Sequence, residues 1–179
     1  MLTAQLAKRY AKALFEVALE EKKLDAFGVQ LTELHEAIAG HPEMERFINN
    51  PRIKKEAKKE LVQKLFEKQL SPFVYNFLRL LIDKRRESIL RSVLAEYKKL
   101  ANEAQNIVPA EVTVARPLAK EQEAQLLEKL ERITGKDVVI ETKIDQSIIG
   151  GVIVQIGDKL IDGSVTSQLR SLQKQLLAN

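Results

Sequence analysis

The residues whose types and close spacing could do chemistry together fall in one stretch, Ile144 to Val165, IDQSIIGGVIVQIGDKLIDGSV. It holds Gly150, Gly151, Gly157 and Gly163, four of the seven glycines, beside Asp145, Asp158 and Asp162. Glycines near a strand can cradle a phosphate, and neighbouring carboxylates can hold a cation or move a proton. A phosphate loop needs Gly-Lys-Ser/Thr opening a helix, so that amides and a lysine surround the phosphates. Here Gly150-Gly151 runs into Val-Ile-Val with no lysine before Lys159, and the three-glycine dinucleotide pattern is absent. The pair therefore reads as a bend where a strand begins, supplying positive φ or close packing. A turn or helix-cap role accounts for each aspartate.

Other chemistry is thin. The absence of cysteine removes thiol nucleophiles, disulfides and Cys-based metal sites. His35 and His41, the two histidines, fall on different predicted elements, so a metal pair is not expected. No catalytic residue and no cofactor is assigned. The lysines at 54, 55, 58, 59, 64 and 68 suggest an anionic partner, but Glu56, Glu60 and Glu67 interleave with them at helical spacing. Intrahelical pairing on a solvated face explains that run equally well. Lys84-Arg85-Arg86 closes a predicted helix, where cations suit the macrodipole.

The elements that carry these residues divide into two sets. Residues 1–105 hold 20 basic and 15 acidic side chains, whereas residues 106–179 hold 9 and 10. All the aromatics lie between Tyr10 and Tyr97. Both changes place a boundary near residue 105, giving domains 1–105 and 106–179. The fold expected is α+β overall: an all-α six-helix bundle followed by a small α/β domain, a short sheet with two helices.

In the first domain, helical spacing predicts helices at about 3–20, 23–39, 43–49, 53–69, 72–84 and 87–104. Pro42, Pro51 and Pro72 separate several of them, and Asn50 and Ser71 are candidate caps. The first and fifth helices are apolar over more of their circumference than a roughly 100° core stripe requires. Either both are central and buried all round, or part of the surplus faces outward and accepts a partner helix. Small residues such as Ala7, Ala11 and Ala18 would allow a close approach.

After Asn106 the period changes to two. Val108 to Val114, Val138 to Ile144 and Gly151 to Ile156 read as strands, with Gly157-Asp158 as a hairpin turn. A helix carrying Leu126, Leu127 and Leu130 ends at Gly135, and Asp162 or Ser164 caps a last helix with Leu169, Leu172 and Leu176 in a stripe. The sheet has no aromatics for base stacking, which argues against RNA. FVYNFLRLLI, the densest apolar run, is shorter than the roughly 20 residues a bilayer span needs, so no membrane insertion is expected.

The segment Val139 to Leu172 resembles the C-terminal signature of the F-type ATP synthase delta subunit, the family of the oligomycin-sensitivity-conferring protein. The match includes Ile144-Asp145, Gly150-Gly151, Gly157-Asp158 and Ile161-Asp162-Gly163-Ser164-Val165. AKRYAKALFEVALE, Ala7 to Glu20, resembles the family's first helix, and Thr166 stands where many relatives carry a basic residue. The resemblance implies a non-catalytic stator subunit that joins the catalytic head to the peripheral stalk and resists rotor torque, so that proton flow is coupled to ATP synthesis. It implies that the N-terminal helix of an alpha subunit lies against the first and fifth helices, at Tyr10, Ala13, Leu14, Asn76, Arg79 and Leu80. It implies b subunits of the peripheral stalk at Leu169, Leu172 and Leu176. The expected location is the cytoplasmic face of a bacterial inner membrane. Two competing readings are a basic nucleic-acid-binding adaptor resting on the lysines, and a small enzyme using the Asp/Gly cluster at 145–163.

Overall fold

The computed structural model describes residues 2–157 and 159–177, with the side chains of Leu2, Thr3, Leu172 and residues 174–177 outside the description. Contacts divide the chain into two compact units, Met1–Ala101 and Asn102–Asn179.

The first unit is helical: α1 Leu2–Glu20, α2 Leu24–Ala39, α3 Pro42–Asn49, α4 Lys55–Phe66, α5 Pro72–Asp83, a 3₁₀ turn Glu87–Ile89, and α6 Leu90–Ala104, which runs past the division. Pro42 and Pro72 each sit in a first helical turn, where a missing N–H costs nothing. Ser71 caps α5 by accepting from the Val74 amide. Asn50 does not cap α4; its side chain accepts from the Arg52 amide instead, and α4 starts later, after Lys54. An Asx turn two residues on competes with the cap for the same oxygen.

The apolar positions of α2, α5 and α6 converge on a core that includes Leu31, Leu34, Leu78, Leu81 and Tyr97. Ala7, Ala11 and Ala18 are fully buried in it. Their small size therefore serves approach between the bundle's own helices, correcting the expectation that they face a partner. Tyr97 donates from its hydroxyl to the Leu24 carbonyl at 2.9 Å.

The second unit comprises β1 Ile107–Val114, α7 Lys120–Thr134, β2 Asp137–Ile144, a 3₁₀ turn Gln146–Ile148, β3 Val152–Ile156, β4 Lys159–Asp162 and α8 Val165–Leu177. The sheet order is β2-β1-β3-β4. β1 and β2 are parallel, joined through α7, while β1–β3 and β3–β4 are antiparallel. Ala110, Val112 and Val114 of β1 form a core with Val138, Val154, Ile156 and Leu130 of α7. Pro109 is tolerated within the central strand because β3 pairs with β1 only from Ala110 onward. Gly135 closes α7 at φ 66°, the left-handed cap expected of it.

Gly150-Gly151 has a structural role. Gly151 lies at φ 78°, and a Cβ there would stand 2.3 Å from the Gly163 carbonyl oxygen. Both reasons for glycine, positive φ and close packing, hold at once. The approach is held by two backbone bonds of 2.9 Å, Gly163 N–H to Val152 C=O and Val165 N–H to Gly150 C=O. The start of β3 is thereby fastened to the start of α8.

Candidate functional site

Some of the surplus apolar surface of α1 and α5 is open. Tyr10 is half-buried and Ala13 exposed on α1, and Leu80 of α5 is 43% exposed. With Leu6 and Phe77 they line a depression of about 320 Å³, and Arg9 and Arg86 complete its wall. The Tyr10 ring stands edge-on to Phe77, centroids 6.1 Å apart. Arg86 donates through Nη1 to the Tyr10 hydroxyl at 2.9 Å, with its guanidinium carbon 5.6 Å from the ring centroid.

The other expected positions fall elsewhere. Leu14 is 4% exposed and belongs to the bundle core. Asn76 and Arg79 are exposed on α5, and Arg79 lies over Tyr75 rather than in the depression. Sequence reading missed Leu6, Arg9, Phe77 and Arg86. Leu6 and Arg9 sit within a turn of Tyr10 and Ala13, so helical spacing could have found them. Arg86 could not be found that way.

Arg86 reaches Tyr10 because the corner between α5 and α6 is built for it. The Arg85 amide bonds Ile82 C=O and the Arg86 amide bonds Leu81 C=O at 2.8 Å, closing α5 with Arg85 at φ 54°. From that strained position Arg85 donates through Nη1 to Pro51 C=O at 2.7 Å. Lys55 donates to Asp83 C=O at 2.6 Å, and Lys59 pairs with the Asp83 carboxylate, whose pKa it holds low by its hydrogen bond. Lys58 binds Glu87 at 2.7 Å with side chains only 3% and 7% exposed. The lysine run is thus not one solvated, self-paired face. Lys64–Glu60 is the expected i,i+4 pair, whereas Lys55, Lys58 and Lys59 tie α4 to the corner.

A second concavity in the same unit, about 720 Å³, is lined by Ala37, Pro42, Met44, Leu61, Leu65 and Phe66 among others. None of the expected positions lines it. In the second unit Leu169 of α8 is 53% exposed, as are Leu160 of β4 at 65% and Ile149 at 66%. The side chains of Leu172 and Leu176 lie outside the described residues.

The Asp/Gly cluster is used locally. Asp145 accepts from the Ser147 amide, and Asp162 accepts from the Ser164 amide and, at 2.5 Å, the Ser167 hydroxyl. Ser164 caps α8 by accepting from the Ser167 amide, so both cap candidates act together. These donors hold the pKa of each carboxyl below its ordinary value. Asp158 lies outside the described residues, between the paired Ile156 and Lys159. Among the described residues no group of three or more His, Asp or Glu could hold a metal ion, and no helix is long and apolar enough to cross a membrane.

A helical unit with an apolar, cation-walled groove, followed in the same chain by a small mixed-sheet unit, is an α+β architecture. The family model for the ATP synthase delta (OSCP) subunit matches residues 6–176. The chain is 41% identical over 176 residues to ATP synthase subunit delta of Desulfitobacterium hafniense strain DSM 10664 / DCB-2, covering 98% of each chain. It is 42% identical over 178 residues to the Heliobacterium modesticaldum subunit, covering 99% of this chain and 96% of that one. A chain in the Toxoplasma gondii mitochondrial ATP synthase hexamer shares the fold at a TM-score of 0.70 and 24% identity, covering 97% of this chain and 98% of that one. The chain belongs to the ATP synthase delta (OSCP) subunit family.

Proposed function

We propose that the chain is a non-catalytic stator subunit of an F-type ATP synthase, joining the catalytic head to the peripheral stalk at the cytoplasmic face of a bacterial inner membrane. Besides the family, the observation that carries the head contact is the groove of Leu6, Tyr10, Ala13, Phe77 and Leu80 between α1 and α5. A depression of about 320 Å³ takes a few side chains of a helix rather than its whole width. That suits the N-terminal helix of an alpha subunit laying anchors at i, i+3/i+4 and i+7 into it. Tyr10 supplies a wide apolar face with its hydroxyl already satisfied, and Ala13 leaves room for a backbone to come close.

The work of such a subunit is to stay bound under torque. Nanomolar affinity, about −12 kcal/mol, is within reach of an interface of roughly 1,600 Å² with a well-packed centre. The second unit offers its exposed apolar residues, Leu169 on α8 among them, to the b subunits of the stalk. The nucleic-acid reading loses support because Lys55, Lys58 and Lys59 are engaged within the bundle.

The test is a calorimetric titration of the full chain with a peptide of the cognate alpha subunit's N-terminal segment. Binding that is tight in the wild type and abolished in Ala13→Trp, which fills the groove from an exposed position, supports the assignment. A folded wild type that binds no peptide overturns it.

A further inference from the structure

We infer that the α1/α5 groove is a carboxylate receptor as well as an apolar slot, so that it selects a partner helix bearing an Asp or Glu within or beside its apolar stripe. The inference rests on the groove being the docking site proposed above, and it adds the chemistry of recognition.

Two guanidiniums, Arg9 and Arg86, form the wall of a depression otherwise lined by Leu6, Tyr10, Ala13, Phe77 and Leu80. Neither arginine takes part in an ion pair among the described residues. A docking helix covers such a groove and removes water from it, and a buried charge without a counter-charge is strongly unfavourable. The complementary partner therefore carries negative charge to this wall. A guanidinium has five N–H donors in a fixed fork. Arg86 commits Nη1 to the Tyr10 hydroxyl, which leaves donors for a planar carboxylate.

The receptor is also held in place before a partner arrives. The backbone at Arg86 is fixed by its amide bond to Leu81 C=O, and the preceding Arg85 is tied to Pro51. The residue after it, Glu87, is held by buried Lys58. Little ordering of Arg86 therefore remains to be done on binding, which favours affinity and a defined register of the partner helix. A lysine at 86 would keep the charge but lose the fork and the stacking on Tyr10.

The experiment pairs protein and peptide variants in a double-mutant cycle, read by calorimetry on the full chain at low and high salt. The proteins are wild type, Arg9→Gln, Arg86→Gln and Arg86→Lys. The peptides are the cognate alpha N-terminal segment and the same segment with every Asp and Glu changed to Asn and Gln. A charge-assisted hydrogen bond stranded at one end predicts a loss of about ten- to a hundredfold for Arg86→Gln with the acidic peptide. Arg86→Lys is expected to fall between. With the neutral peptide, Arg86→Gln is expected to bind at least as tightly as wild type, because the variant no longer buries a guanidinium without a counter-charge. Circular dichroism melts confirm that each variant is folded, and Arg9→Gln, at an exposed position, gives an independent reading should Arg86→Gln melt early. Equal, tight binding of both peptides to the wild type overturns the carboxylate receptor and leaves the apolar groove standing. A cognate segment without any carboxylate near its stripe does the same. No binding of either peptide to folded wild type overturns the groove assignment itself, and this inference with it.

Discussion

Removing the Lys58 ammonium alone strands the Glu87 carboxylate in the bundle. The pair is 2.7 Å apart with side chains 3% and 7% exposed, so water neither screens it nor can replace the lost partner without opening the structure. Breaking one side of a buried pair costs about 3–5 kcal/mol. For a unit of this size each kcal/mol moves the midpoint by about 4–8 °C, so Lys58→Met is expected to lower it by at least about 12 °C. Replacing both charges, Lys58→Met with Glu87→Leu, removes the stranded charge and is expected to return to within about 2 kcal/mol of wild type. The assays are thermal melting for the midpoint and urea denaturation for the free energy, each followed by tyrosine fluorescence. Tyr10, Tyr75 and Tyr97 all lie in the first unit and the chain has no tryptophan, so the signal reports the bundle alone. A single-mutant loss below about 1 kcal/mol, or a double mutant as unstable as the single, refutes the reasoning.

Further outcomes follow from the same structure. Gly151→Ala drives a methyl into the Gly163 carbonyl at positive φ and is expected to cost on the order of 3 kcal/mol or more; Gly135→Ala, with nothing within 4 Å, is expected to cost only about 1 kcal/mol. Hydrogen exchange across residues 150–165 distinguishes them, and equal protection in both variants contradicts the account. The Asp162 carboxyl has a lowered pKa because Ser167 and Ser164 donate to it, so its contribution is present above the ordinary aspartate pKa near 4 and is lost as pH falls below it. An acid titration by circular dichroism is expected to show that loss in wild type and not in Asp162→Asn. Burial first, and the Asp25 charge second, push the Tyr97 phenol up to about 12. Its contribution is complete below pH 10 and lost as pH rises toward 12, so phenolate absorbance missing from Tyr97→Phe is expected only near pH 12; its appearance near pH 10 refutes the burial argument.

What the sequence revealed and what it hid divide by distance along the chain. Pro42, Pro72 and Gly135 mark helix ends because their effects act within a turn of themselves. The hairpin at Gly157 and the bend at Gly150-Gly151 were legible for the same reason. In sequence Lys58 reads as part of a solvated run between Glu56 and Glu60, which at two residues' distance do not share its helix face, whereas its actual partner is Glu87. In sequence Arg86 reads as a counter-charge to a helix end, since nothing local links it to Tyr10. The apolar arc on α1 reads as a surplus from sequence, but in the structure Leu14 belongs to the core and Ala13 to the surface. Helical projection fixes the angle of a residue on its own helix and not where the neighbouring helices lie.

The position of β1 in its sheet has a consequence during synthesis rather than in the finished molecule. It is the first strand made and a central one, yet its partners β2 and β3 come later, β2 beyond an intervening helix. Among the described residues only β3–β4 is a local hairpin. Helical units rich in local contacts form quickly, whereas pairing between distant strands waits for the chain. While it waits, Ile107–Val114 presents two open edges and alternating valines, the kind of segment that pairs with other chains. Pro109 and Glu111 sit inside that segment, as interruptions that oppose such pairing. The hazard of this chain is therefore one of timing: it belongs to the interval between the first strand and the third, and closes when β3 takes its place.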